Sequence, residues 1–317
     1  MKVIYLLVFV LISLSTIAQK TGESEYVKVN LPPKKATSGQ ASLAYATATV
    51  SDVDMDIPRV AKPNVDRYAL IIGNQDYSSF QKGIDKEADV EFAQNDASVF
   101  KEYATKILGV PDENAVLLIN AKLVEMRSAI DKFNNIIKNL DGQAEVYVYY
   151  AGHGLPEEAT KEAYIMPVDV SGADIKYAIK TQELYDKLTE YPSKKVVVFL
   201  DACFSGGGRK QGLVSARAAK IKPKNNEVKQ GNLLVLTATS ESQTALPYEE
   251  KGHGMFTYYL LKALKTSQGD MSLEELSNYV RKQTTLNSVM INSKEQNPQT
   301  IVSPYIENTW KNWKINE

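Results

Sequence analysis

Two short, unbroken apolar runs constrain this chain most, because each ends in a reactive side chain beside glycine. Residues 194–208, KKVVVFLDACFSGGG, lead from Val196–Leu200 into Asp201, Ala202 and Cys203, the only cysteine, and then into glycines. Residues 145–154, EVYVYYAGHG, end in His153, set between Gly152 and Gly154 fifty positions upstream of the thiol. Runs of Val, Leu and aromatic residues bounded by turn residues predict parallel strands buried on both faces. Open α/β sheets hold their ligands at the carboxyl ends of such strands. One thiol and one imidazole are thus delivered to the same kind of edge.

The 317 residues can hold one α/β domain of ordinary size with room for an appendage. A formal net charge of −1 gives no reason to expect nucleic acid or an anionic membrane as partner. Residues 1–18 differ from the rest: a basic start at Lys2, an apolar run from Val3 to Leu14, and small residues at Ser15, Thr16 and Ala18. That pattern predicts a secretory signal peptide cut near Ala18 and an exported chain, periplasmic or extracellular, with no stable membrane anchor once it is removed. An exported protein usually pairs its cysteines. A single thiol cannot, which marks Cys203 as reactive.

Residues 19–66 are poor in large apolar side chains and carry Pro32, Pro33 and Pro63, the composition of a linker or pro-segment. From Arg67 the pattern becomes that of a folded domain, expected over 67–305, with a tail at 306–317. RYALIIGNQDY (67–77) predicts the first strand, and residues 85–108 have helical spacing at Val90, Ala93, Ala97, Phe100, Tyr103 and Ile107. AVLLIN (115–120) is a second strand and 123–140 a second helix. Residues 162–169 form an excursion that turns back at Pro167, and 180–191 a helix. NLLVLTATS (232–240) is a further strand; 255–265 and 272–285 are helices, the latter opened by a Ser272/Glu275 capping box. QTIVS (299–303) is the last strand. Strands alternating with helices imply a mainly parallel sheet with helices on both faces.

A thiolate is a strong nucleophile, and a neighbouring imidazole can lower the thiol's pKa and later protonate a leaving amine. The glycines around His153 leave backbone uncovered, so the N–H groups of Gly154 and Cys203 can serve as an oxyanion hole. His253, in GHGM, follows no strand pattern and is not expected to be the base.

These motifs resemble the caspase-like cysteine peptidases, and among them the metacaspases and clostripain-type bacterial enzymes. The resemblance rests on YALIIGN, Asn95-Asp96-Ala97, YAGHG, DACFSGG, LTATSESQTA, GHGMFTYYLLKAL and QNPQT. It implies a caspase-hemoglobinase-like three-layer sandwich around a six-stranded sheet, with Cys203 as nucleophile and His153 as general base and acid. It also implies that Asp201 and Asp96 line the pocket for the residue before the scissile bond, favouring Arg or Lys by charge-assisted hydrogen bonds. The chain departs from metacaspases at Phe204, where His is usual, and at Ala151, where Ser is usual.

With that preference, Arg209, Lys210, Arg217, Lys220, Lys222, Lys224 and Lys229 form a row of self-cleavage sites just after the nucleophile. Lys34, Lys35, Arg59, Lys62 and Arg67 add others upstream, as in an autoprocessed zymogen. The expected partners are proteins or peptides with Arg or Lys before the cut. One thiol and two distant histidines make no zinc cluster, and no cofactor is required; calcium stimulation is common among metacaspases, but no compact acidic loop signals it. Two other readings are a phosphatase using the Cys203-x5-Arg209 spacing to cradle phosphate and a non-catalytic caspase-like binding module.

Overall fold

The computed structural model describes residues 50–60, 62–204, 228, 230–240 and 243–316. The signal-peptide expectation at 1–18, residues 19–49 and every basic residue proposed for self-cleavage between 209 and 229 lie outside these.

Strand β1 (Arg67–Gly73) leads to α1 (Ala93–Lys106), β2 (Ala115–Ile119), α2 (Leu123–Asn139) and β3 (Glu145–Ala151). Three short strands, β4 (Gly154–Pro156), β5 (Ala163–Ile165) and β6 (Ile179–Lys180), form a small antiparallel sheet of their own. Then come α3 (Thr181–Thr189), β7 (Lys195–Asp201), β8 (Leu233–Thr237), the two-residue pair β9 (Pro247–Tyr248) and β10 (His253–Gly254), α4 (Met255–Ser267), α5 (Leu273–Asn292) and β11 (Gln299–Val302). The main sheet runs β11-β8-β7-β3-β1-β2, parallel throughout except for β11.

Alternation along the strands builds a core on each face. Ala69, Ile71, Tyr147, Tyr149, Val197 and Phe199 point toward α1, α4 and α5. Leu70, Ile72, Val146, Val148, Val196 and Val198 point toward α2 and α3. Because helices cover both sides, the central strands need apolar residues at every position, and β3 and β7 are buried along their whole length. The result is the expected three-layer α/β/α arrangement.

Three boundaries differ from the sequence reading. The first helix starts at Ala93 rather than 85: Phe92 is left-handed (φ 68°), and Asp89 is used by the backbone of Tyr77 and Ser78, so 85–92 is a loop with one short 3-10 turn. Residues 51–55, expected in a pro-segment, pack on the domain. Val53 is buried, its carbonyl accepts from Tyr103, and Asp52 binds Tyr258 and Lys262. Those hydrogen bonds outweigh the effect of burial and hold the Asp52 carboxyl down at about 2. The expected tail also belongs to the domain, since Ile306 and Ile315 are buried and Leu273 N–H donates to Trp313 O.

Arg67 is likewise no exposed cleavage site. It is buried, with Nε on Glu145 Oε2 at 2.9 Å and Nη1 donating to Leu108 O and Asn316 O.

Candidate active site

Adjacent strands deliver the thiol and the imidazole. In the β3–β7 register Ala151 stands opposite Asp201, so His153 and Cys203, each two residues further on, leave the sheet at the same level of neighbouring strands. Gly154 lies against the cysteine: a Cβ there would sit 2.8 Å from Cys203 O and 2.6 Å from the Phe204 ring. Only glycine permits that approach. Phe204, the departure noted beside Cys203, thus forms a wall next to Gly154. Ala202 O, just past the end of β7, accepts from Thr239 Oγ1 at 3.5 Å.

The imidazole is oriented by backbone. His153 Nε2 lies 2.5 Å from the carbonyl oxygen of Ala88. A carbonyl only accepts, so Nε2 carries the proton and Nδ1 is the nitrogen able to take one. The side-chain motifs gave no sign of this contact. It comes from the loop expected to be helix, where Ala88 O would have been spent on the helical ladder.

Cys203 is 3 % exposed. The segment 243–247 covers it, with Ala245 N–H directed at Sγ and Ala245 O 3.8 Å away. Gln296 pins that segment from beneath: Leu246 N–H donates to its Oε1 at 2.9 Å, and its Nε2 donates to Ala238 O at 3.1 Å. The QNPQT motif, through Gln296 and Asn297, therefore supports the segment over the thiol.

The two carboxyls expected to line a pocket, Asp201 and Asp96, lie at the N-terminus of α4. Asp201 Oδ2 accepts from Thr257 Oγ1 at 2.6 Å, and Tyr149 OH lies 2.6 Å from that same Thr257 oxygen. Asp96 accepts from Gly254 N–H and lies 2.7 Å from His253 Nδ1. A helix N-terminus favours such anions. His253 also meets Asp54 Oδ1 through Nε2 at 2.8 Å. Burial alone would lower the pKa of this imidazole, but the hydrogen bonds from Asp54 and Asp96 prevail and push it up to about 9. Both its nitrogens are committed to carboxylates, which separates His253 from the role of base. Asp96 and Asp201 are both buried and bonded internally, a setting that the motifs did not reveal.

A model of the caspase domain of the C14 peptidases matches residues 66–306. The chain belongs to this caspase-domain family. Its fold resembles protein GSU0716 from Geobacter sulfurreducens, with a TM-score of 0.59 over 79 % of this chain and 98 % of that one, at 17 % identity. No curated protein matches the sequence. Among the described residues of this caspase-like domain, no cluster of three or more His, Cys, Asp or Glu is arranged to hold a metal, and no helix is long and apolar enough to cross a membrane.

Proposed function

We propose that this member of the caspase-domain family is an exported cysteine endopeptidase acting through Cys203 and His153. The observation that supports this best is the shared level at which β3 and β7 release the two side chains, with Gly154 backbone against Cys203. In this reading His153 Nδ1 takes the thiol proton, the thiolate adds to the scissile carbonyl, and the oxyanion is held by the N–H groups of Gly154 and Cys203. The imidazolium then protonates the departing amine, and water, deprotonated by the same ring, releases the acyl group.

Asp201, two residues before the nucleophile, supports a preference for Arg or Lys. Around the start of α4 stand three carboxyl groups, Asp54 and Asp96 on the His253 imidazole and Asp201 on the Thr257 hydroxyl. Substrate entry requires segment 243–247 to move off the thiol. Self-cleavage in 209–229 is the event we assign to that activation.

The test is hydrolysis of fluorogenic peptides ending in Arg, Lys or Asp by the mature chain, beside Cys203→Ala, with and without calcium. Turnover after Arg or Lys that vanishes in the variant supports the reading. Turnover only after Asp keeps the peptidase and refutes the roles of Asp201 and Asp96, and silence on all three peptides by both proteins refutes the activity. Intact mass of the wild type beside Cys203→Ala tests self-cleavage: equal, uncut masses refute it.

A further inference from the structure

Two neighbouring tyrosine hydroxyls hold the two backbone polar groups of His153. Its N–H donates to Tyr77 OH at 3.0 Å, and its carbonyl accepts from Tyr150 OH at 2.7 Å. Tyr77 OH in turn donates to Met166 O at 3.0 Å, and Met166 N–H donates to Tyr150 OH at 3.1 Å. The hydroxyls lie 3.4 Å apart. Each phenol gives its one proton to a carbonyl and accepts an N–H through a lone pair, and Met166 N–H is shared with His153 O at 3.0 Å. Both side chains are wholly buried.

The grip extends to the ring. Tyr77 packs on the imidazole with centroids 4.6 Å apart at 59°. Its own backbone N–H donates to Asp89 Oδ1 at 2.9 Å, and Asp89 directly follows Ala88, whose carbonyl holds Nε2. One loop cluster therefore fixes the ring face, the ring proton and the backbone of the same residue. Gly152 completes it: a Cβ there would stand 2.6 Å from Tyr150 OH and 3.0 Å from Tyr77 OH, so the residue before His153 must lack one.

We propose that Tyr77 and Tyr150 are positioning residues of the proton-transfer step, holding His153 so that Nε2–H stays on Ala88 O and Nδ1 stays turned to the proton it must take. Neither touches the substrate. The inference rests on His153 being the base. It adds that the base is placed by hydroxyls rather than by a side-chain third member.

The experiment is alkylation of Cys203 by iodoacetamide across pH, alongside peptide turnover, in wild type, His153→Ala, Tyr77→Phe and Tyr150→Phe. Phenylalanine keeps the ring and removes the hydroxyl. Each Phe variant should lower kcat about tenfold with KM unchanged, and shift the acid limb of alkylation upward by about half to one pH unit, as a loosened imidazole stabilises the thiolate less. A mere loss of stability would lower the melting temperature without moving that limb. If His153→Ala abolishes the limb but folded Phe variants overlay the wild type, the clamp is refuted and the base stands. If His153→Ala also overlays the wild type, the base is refuted and the clamp with it. A readout needing no variant is the ring nitrogen spectrum of the wild type, simplified by there being two histidines. A single Nε2–H tautomer for His153 is expected, and a mixture overturns the proposal.

Discussion

Substituting His253 by glutamine should change how stability depends on pH in one defined window. The wild-type imidazole is buried between Asp96 Oδ1 at 2.7 Å and Asp54 Oδ1 at 2.8 Å, and it holds its proton up to about pH 9, against 6.5 for the unperturbed group. That difference corresponds to about 3 kcal/mol, at roughly 1.4 kcal/mol for each tenfold change in proton affinity. Since the folded chain binds this proton more tightly, the contribution is complete below pH 6.5. It is lost as pH rises toward 9, with a slope no steeper than about 1.4 kcal/mol per pH unit for one proton.

Lys195 acts in the opposite sense over part of that range. Burial lowers its ammonium to about 8 despite Glu145, so its cost to the fold is relieved as pH climbs past that point. It is untouched by the substitution and cancels when the two curves are subtracted. Urea unfolding followed by fluorescence at intervals from pH 6 to 9.5, for wild type and His253→Gln, supplies the difference. A decline of about 3 kcal/mol in that difference is expected. A difference flat to within about 0.5 kcal/mol would refute the view of His253 as a buried imidazolium, which lies well beyond ordinary non-additivity.

Gly154→Ala should abolish peptide turnover, because the new Cβ meets Cys203 O and the Phe204 ring, while overpacking costs the fold only about 1–3 kcal/mol in a thermal melt. Glu145→Gln leaves buried Arg67 and Lys195 without their shared counter-charge and should destabilise by about 3–5 kcal/mol in denaturant titration. Gln296→Leu strands Leu246 N–H and Ala238 O, at about 1–3 kcal/mol. By loosening segment 243–247 it should also speed the reaction of Cys203 with a bulky maleimide.

What could be read in the sequence were features written in side chains over short spans. The unbroken apolar runs of β3 and β7 reflect burial on both faces, and the residues ending them were visible as a consequence. The Ser272/Glu275 box also forms as read, with Glu275 N–H donating to Ser272 Oγ and Ser272 N–H to Glu275 Oε2. The orienting group of His153 was not legible, because a backbone carbonyl has no letter of its own, and the periodicity of Val90, Ala93 and Ala97 continued through the loop that presents it. The partners of Asp96 were hidden by distance, His253 lying 157 positions away. Residues 51–55 read as linker because Val53 alone supplies their buried apolar contact; what holds them otherwise is polar, through Asp52 and Asp54.

The placement of the reactive pair is also decided at the opposite end of the sheet. Arg67, Glu145 and Lys195 stand side by side in the register of β1, β3 and β7, and all three are buried. Arg67 binds Glu145 Oε2 at 2.9 Å, Lys195 approaches the same oxygen at 3.3 Å, and Lys194 takes Oε1 at 2.6 Å. Arg67 and Lys195 also donate to the carbonyls of Asn316 and Lys314, tying the C-terminal residues to the same point. Six positions along, the same register brings Gly73, Ala151 and Asp201 abreast. Apolar runs alone specify register weakly when both faces are buried, since a slipped strand still buries apolar residues. The charges remove that freedom: slipping β7 by one residue against β3 would part Lys195 from Glu145 and carry Cys203 about 3.3 Å past His153. A proton cannot be passed directly across such an added gap. If Cys203 and His153 act as proposed, the buried ions bear on the chemistry through register, and substitutions at Glu145 that leave the fold standing should still impair turnover.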